Sequence, residues 1–142
     1  MTKNELIKKF KNCESCDLCK LEKNDERLVP HGFISSNFMM IGMSPTHTAE
    51  KLTYFFENYD KHPYNKTYSL LDKLFANLNI DFDTMWKTNV QKCMDNSNDF
   101  NEEYFKTCYK ENLTEEIKTV NPKVVFLLGA KVADLFDVKD IG

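Results

Sequence analysis

The sequence predicts a three-layer α/β/α fold with a short parallel sheet, and three observations carry that expectation. Two continuous apolar runs, Phe38 to Ile41 and Val124 to Leu128, each end at a glycine, as strands buried on both faces do when a tight loop closes them. Segments with apolar residues at helical spacing lie between and after them. The chain has 142 residues, 42% of them hydrophobic and 29% charged, which reads as one domain over 1–142 with enough apolar mass for a core. Strands alternating with helices call for parallel pairing through right-handed crossovers, with ligands beyond the carboxyl ends of the strands.

Taken in order, Lys3 to Asn12 reads as a helix with Leu6, Ile7 and Phe10 on one side, followed by a polar, cysteine-bearing stretch through Gly32. Phe38 to Ile41 is the first strand, ending at Gly42 and Pro45. Ala49 to Glu57 reads as helical through Leu52, Phe55 and Phe56, and a loop follows around Pro63 and Asn65. Ser69 to Leu78 repeats Leu71, Leu74, Phe75 and Leu78 on one face, with Ser69 as the expected N-cap. A weaker strand spans Thr84 to Val90, interrupted by Lys87 and Asn89. Asn101 caps the next helix, with Glu102 and Glu103 in its first turn and Phe105, Cys108, Tyr109, Asn112, Leu113 and Ile117 along one side, until Asn121-Pro122 stops it. Val124 to Leu128 is the clearest buried strand, and Ala130 to Phe136 the last helix. Three segments thus fall at carboxyl ends of strands: Gly42 to Thr46, Asn89, and Gly129 to Lys131.

A net charge of -3 excludes charge-driven, non-specific nucleic-acid binding as the main business of the surface. No window approaches the roughly 20 apolar residues of a membrane span, and the N-terminus lacks an apolar signal stretch, so the expected location is cytoplasmic with no membrane partner. In that reducing setting the five cysteines point to metal ligation, catalysis or burial rather than disulfides. Cys13, Cys16 and Cys19 recur every third residue, and Cys93 and Cys108 lie far downstream. Four thiolates suit zinc or an iron-sulfur cluster alike. Dispersed ligands favour the four corners of a 4Fe-4S cubane, with zinc as the alternative. Cys93 and Cys108 as ordinary buried thiols is the simpler reading.

The ordered set Asn12-Cys13-x2-Cys16-x-Leu18, Met39-Met40-Ile41-Gly42-x-x-Pro45, Pro63-Tyr64, Leu70-Leu71-Asp72, Thr88-Asn89-Val90-x-Lys92-Cys93, Cys108 and Pro122-Lys123-Val124-Val125-x-Leu127-Leu128-Gly129 resembles the family 4 uracil-DNA glycosylases, the iron-sulfur branch of their superfamily. The resemblance implies a four-stranded parallel sheet, hydrolysis of the N-glycosidic bond of uracil in DNA after the base is flipped out, and a 4Fe-4S cluster held by Cys13, Cys16, Cys93 and Cys108. Cys19 is then a spare, unless the pair Cys16 and Cys19 replaces Cys13 and Cys16. It further implies that Asn89 reads the base edge, that Tyr64 stacks on the base, and that Gly42, Met43, Ser44, Pro45 and Thr46 contact the nucleotide and the attacking water. The residue chemistry agrees for Asn89, since a side-chain amide offers one acceptor for uracil N3-H and one donor for O4. Without the family, an Asn that stabilises the loop after a strand serves equally well.

The sequence also departs from that pattern. Met43 stands where the family has Glu and Thr46 where it has a second Gly, while Gly-Met-x-Pro is closer to the single-strand-selective branch, which carries Asn where this chain has Ser44. Ser44 can hold a water but is no general base. The family's His-Pro-Ser segment has no counterpart, so the leaving base loses its stabilising histidine; His31 and His47 read as surface residues, and His47 becomes the first candidate for that role only if excision is nonetheless robust. A chain finishing at Gly142 is expected to leave the edge beside Val124 to Leu128 for a protein partner or a second copy to cover. The competing expectation is a catalytically weak or inactive iron-sulfur protein that binds nucleic acid or a protein partner.

Overall fold

Strand β1 (Phe38–Gly42) carries Met39, Met40 and Ile41 in succession, so both its faces need apolar cover and it takes the middle of the sheet. Strand β2 (Trp86–Asn89) pairs parallel on one side and β3 (Val124–Leu127) parallel on the other, in the order β2-β1-β3. The computed structural model describes residues 1–21, 27–45, 66–93 and 100–138. The expected helix from Ala49 to Glu57 lies outside them. Among the described residues the sheet has three strands, not the four that the family resemblance implies.

Helices lie on both faces. Helix α1 (Lys3–Lys11) starts in a capping box, with Thr2 Oγ1 accepting from the Glu5 amide while the Glu5 carboxylate accepts from that of Thr2, and it buries Leu6 and Phe10. The short α2 (Asp17–Leu21) follows. With α4 (Glu102–Cys108), α5 (Thr114–Val120) and α6 (Ala130–Leu135), α1 packs on the face formed by Met39, Ile41, Trp86, Val125 and Leu127. Helix α3 (Lys66–Asn77) covers the other face, where Tyr68, Leu71 and Phe75 meet Met40, Phe82 and Phe126. The Phe75 and Phe126 rings meet edge to face at 4.8 Å. The expected three layers are therefore present.

Several elements differ from their sequence reading. Val124 to Leu128, expected as the most buried strand, is the partly exposed edge, with Val124 42% accessible; sheet order, not apolar content, decides which strand is enclosed. The second strand is shorter than Thr84 to Val90 because Thr84 sits in a turn that bonds to Asp81, and the Val90 amide makes the last ladder bond, to the Gly42 carbonyl. On its outer edge, His31 forms an antiparallel bridge to Lys87, from a stretch read only as polar. Ser69 is not an N-cap, since α3 already begins at Lys66, and Leu74 and Leu78 are exposed while Tyr68 takes their place inside. The helix opening at Asn101, whose side chain accepts from the Tyr104 amide as expected, is interrupted by a π-helical turn, Tyr109–Leu113.

Gly32 sits at φ +130, and a Cβ there would lie 2.2 Å from the Met85 carbonyl oxygen, so this loop closes on β2 only because it carries no side chain. Gly32→Ala is expected to lower stability by about 2–4 kcal/mol, the scale for a strained backbone combined with a forced shift, read as a displaced urea midpoint.

Candidate functional site

Parallel pairing brings the ends of β1 and β2 together. Gly42 is the register partner of Asn89, the Val90 amide donates to the Gly42 carbonyl at 2.9 Å, and the Gln91 amide donates to that of Met43 at 3.0 Å. The loop after β1 is thereby fastened beside Asn89. Within it Gly42 and Pro45 are buried, Ser44 is half-buried and Met43 is exposed. Strand alternation puts Asn89 on the α3 face of the sheet, opposite Trp86 and Thr88. Asn89 is buried, and its Oδ1 has no hydrogen-bond partner among the described residues. A buried acceptor left open costs free energy, so this one calls for a donor that the described residues do not supply. Of the other expected site residues, Thr46, His47 and Tyr64 lie outside the described residues.

A second locus forms around sulfur. Cys19 Sγ lies 3.7 Å from Cys16 Sγ, 3.7 Å from Cys13 Sγ and 3.8 Å from Cys93 Sγ. The Asn112 amide joins the fifth thiol to the group, donating to Cys13 Sγ and Cys108 Sγ at 3.5 Å each, and the Lys92 backbone N–H donates to Cys108 Sγ at 3.3 Å. The chain thus brings together all five cysteines. Cys19, the spare of the sequence reading, stands at the centre. A group held by Cys13, Cys16, Cys93 and Cys108 therefore needs Cys19 either among its ligands or moved aside.

Mutual contact and burial hold three of these thiols in their protonated form. Hydrogen bonding to Cys19, then burial, pushes the Cys13 thiol up to about 12 from an ordinary 9.0. The Cys19 thiol is pulled down by Cys13, but the hydrogen bond and charge of Cys93 together with burial outweigh that and raise it. Burial raises Cys108 against the opposing Lys92 charge and the Asn112 and Lys92 donors.

Sequence reasoning missed three residues here. Arg27 is buried, and its guanidinium donates to the carbonyls of Phe10, Lys11, Cys13 and Cys19, closing the cysteine segment over the end of α1. Asn112 was counted only as one position on a helix side. Its one signal is a polar residue in an apolar stripe. Glu116 is fully buried on α5 and accepts from Trp86 Nε1 at 2.7 Å and from Lys92 Nζ at 2.5 Å.

The fold and these two loci define an α/β domain with a loop fastened at the carboxyl ends of two parallel strands and a group of five thiols. Residues 29–140 match the model of the uracil DNA glycosylase superfamily, and the chain belongs to that superfamily. Among curated proteins none matches it. No helix of the described residues is long and apolar enough to cross a membrane.

Two outcomes follow from the geometry. Because Asn89 Oδ1 has no partner to lose, Asn89→Ala is expected to change stability by less than about 1 kcal/mol, whereas Ile41→Ala in the same sheet costs about 2–5 kcal/mol, both read by urea unfolding. The second concerns pH. The folded-state pKa of Cys13 lies above its unfolded value, so the stability its protonated form contributes is complete below about pH 9 and fades as pH climbs toward about 12. In reduced, metal-free protein the stability of the wild type relative to Cys13→Ser should fall across that window, measured as the difference between their urea midpoints.

Proposed function

We propose that the chain removes uracil from DNA by hydrolysing its N-glycosidic bond. The observation that carries this reading is the buried, open Oδ1 of Asn89 beside the Gly42-to-Pro45 loop, in a chain of the uracil DNA glycosylase superfamily. With the base flipped out of the duplex, Asn89 Oδ1 accepts from N3-H and its amide donates to O4, a pattern that cytosine reverses. Ser44 holds the water whose oxygen bonds to C1′ as the C1′-N1 bond breaks, and the uracil leaves as an anion that then gains a proton. Met43 brings no carboxylate to this loop, so the water attacks without a strong base and the reaction leans on the departure of the base. Tyr64 as the stacking ring and His47 beside the leaving group belong to the same reading.

The thiol group is proposed to hold a 4Fe-4S cluster through four of Cys13, Cys16, Cys19, Cys93 and Cys108, with zinc as the alternative occupant. When bound, it supplies a covalent tie between the N-terminal segment and the end of β2. Arg27, on the Cys13 and Cys19 carbonyls, holds the ligand segment in place. DNA is the proposed partner, and a cytoplasmic location agrees with the thiols.

Three measurements test this. Anaerobically purified protein is expected to be brown, with about four irons per chain. Stoichiometric zinc with neither iron nor sulfide, from iron-replete cells, would overturn that part. The loaded protein should release uracil from uracil-containing oligonucleotides, and Asn89→Ala should slow release about 100-fold, the cost of leaving a base edge unpaired, while Tyr64→Phe costs less. Binding of uracil-containing strands with no release would favour the second reading, a binding protein without turnover, to which Met43 already points.

A further inference from the structure

Lys92 is 4% exposed and its ammonium is fully used: Nζ donates to Thr88 Oγ1 at 2.8 Å, to the Asn89 carbonyl, and to Glu116 Oε2 at 2.5 Å. Its charge also lies 4.9 Å from the centre of the Phe10 ring. Glu116, from α5, spends its other oxygen on the Trp86 indole. The two charges therefore grip Trp86, Thr88 and the Asn89 peptide, three of the four residues of β2, from the face opposite the one on which the Asn89 side chain lies. A buried ion pair of this kind is no more stabilising than an apolar pair of the same volume, so folding free energy does not explain it. What it does that leucine and methionine cannot is hold one peptide carbonyl by hydrogen bond. That carbonyl belongs to the residue whose amide is open toward the site.

We infer that Lys92 and Glu116 are a positioning pair for Asn89, setting the angle of its amide and through it the preference for uracil over cytosine. The inference rests on the glycosylase reading of Asn89. Neither residue touches the base; each acts through the β2 backbone.

The test measures binding rather than turnover. A single strand carrying 2′-fluoro-2′-deoxyuridine, which resists hydrolysis, is compared with the same strand carrying the 2′-fluoro cytosine nucleoside and with an unmodified strand. Wild-type protein is expected to prefer the uracil strand. In Lys92→Met/Glu116→Leu the preference should fall about tenfold, the worth of one well-placed polar contact, with affinity for the unmodified strand kept and the melting temperature lowered, since the buried Trp86 indole N–H loses its acceptor. Emission of Trp86, the single tryptophan, shows independently whether the core stays dry. Glu116→Gln, which keeps volume and the indole's acceptor while removing the charge, should lose part of the preference. It leaves the Lys92 charge unpaired and lowers the melting temperature, so, read below that temperature, it decides if the double variant does not fold. Val132→Ala, a change in the same core cluster at a side chain that can bond to neither Lys92 nor Glu116, should keep the preference. An unchanged preference in folded Glu116→Gln, or an equal loss in Val132→Ala, overturns the inference and leaves the glycosylase reading standing. Absence of any uracil preference in the wild type overturns both.

Discussion

An ammonium in a dry core must be surrounded by acceptors before the chain can close over it, and Lys92 makes that demand where β2 meets α5 and the cysteines. Its three protons go to a β2 hydroxyl, a β2 carbonyl and an α5 carboxylate, while its own backbone N–H reaches Cys108. Removing one partner would strand a buried charge at a cost of about 3–5 kcal/mol, so these elements have little freedom to move independently. Trp86 follows because its indole completes the Glu116 carboxylate, and Phe10 because its ring faces the ammonium. The face of the sheet carrying α1, α4, α5 and α6 is thus organised around one charge pair as much as around apolar area.

The sheet was legible in the sequence because apolar runs and their closing glycines are local signals. Met39 to Ile41 could be recognised as strand without knowing what lay beside it. What could not be read was the order of strands, since nothing local to Val124 says whether it has neighbours on one edge or two. The exposure of Leu74 and Leu78 was hidden for a related reason. A helix with leucines on several sides fits more than one rotation, and the choice of Tyr68, Leu71 and Phe75 as the inward face is made by Phe82 and Phe126. The π-helical turn at Tyr109–Leu113 has no apolar period of its own, and it is this turn that carries Asn112 between two thiols.

At the site, residue types that name their chemistry were visible and those that act through backbone were not. Cys13, Cys16 and Cys19, with Cys93 and Cys108 downstream, stand out by identity and spacing, and Asn89 stands out in a weak strand. Arg27 could not be found in the same way, because its four partners are carbonyl oxygens that any residue would offer. Cys19 shows the limit of spacing itself: two overlapping C-x2-C pairs are equivalent on paper, and the fold places the shared difference between them, Cys19, in contact with both Cys13 and Cys93.

Two buried asparagines keep an oxygen without a partner among the described residues, and their surroundings differ. Asn112 also has a buried oxygen without a partner among the described residues, yet its amide nitrogen is committed to two sulfurs, so its place is explained by the thiol group. Asn89 has its carbonyl taken by Lys92 and its register partner, Gly42, at the start of the loop, and still keeps Oδ1 open. A side chain that only stabilised this loop would be expected to spend that oxygen on one of the amides nearby. Those of Val90 and Gln91 are instead consumed by Gly42 and Met43, so the loop is fastened without the Asn89 side chain. The backbone does the structural work here, and among the described residues the Asn89 side-chain oxygen takes no part in it.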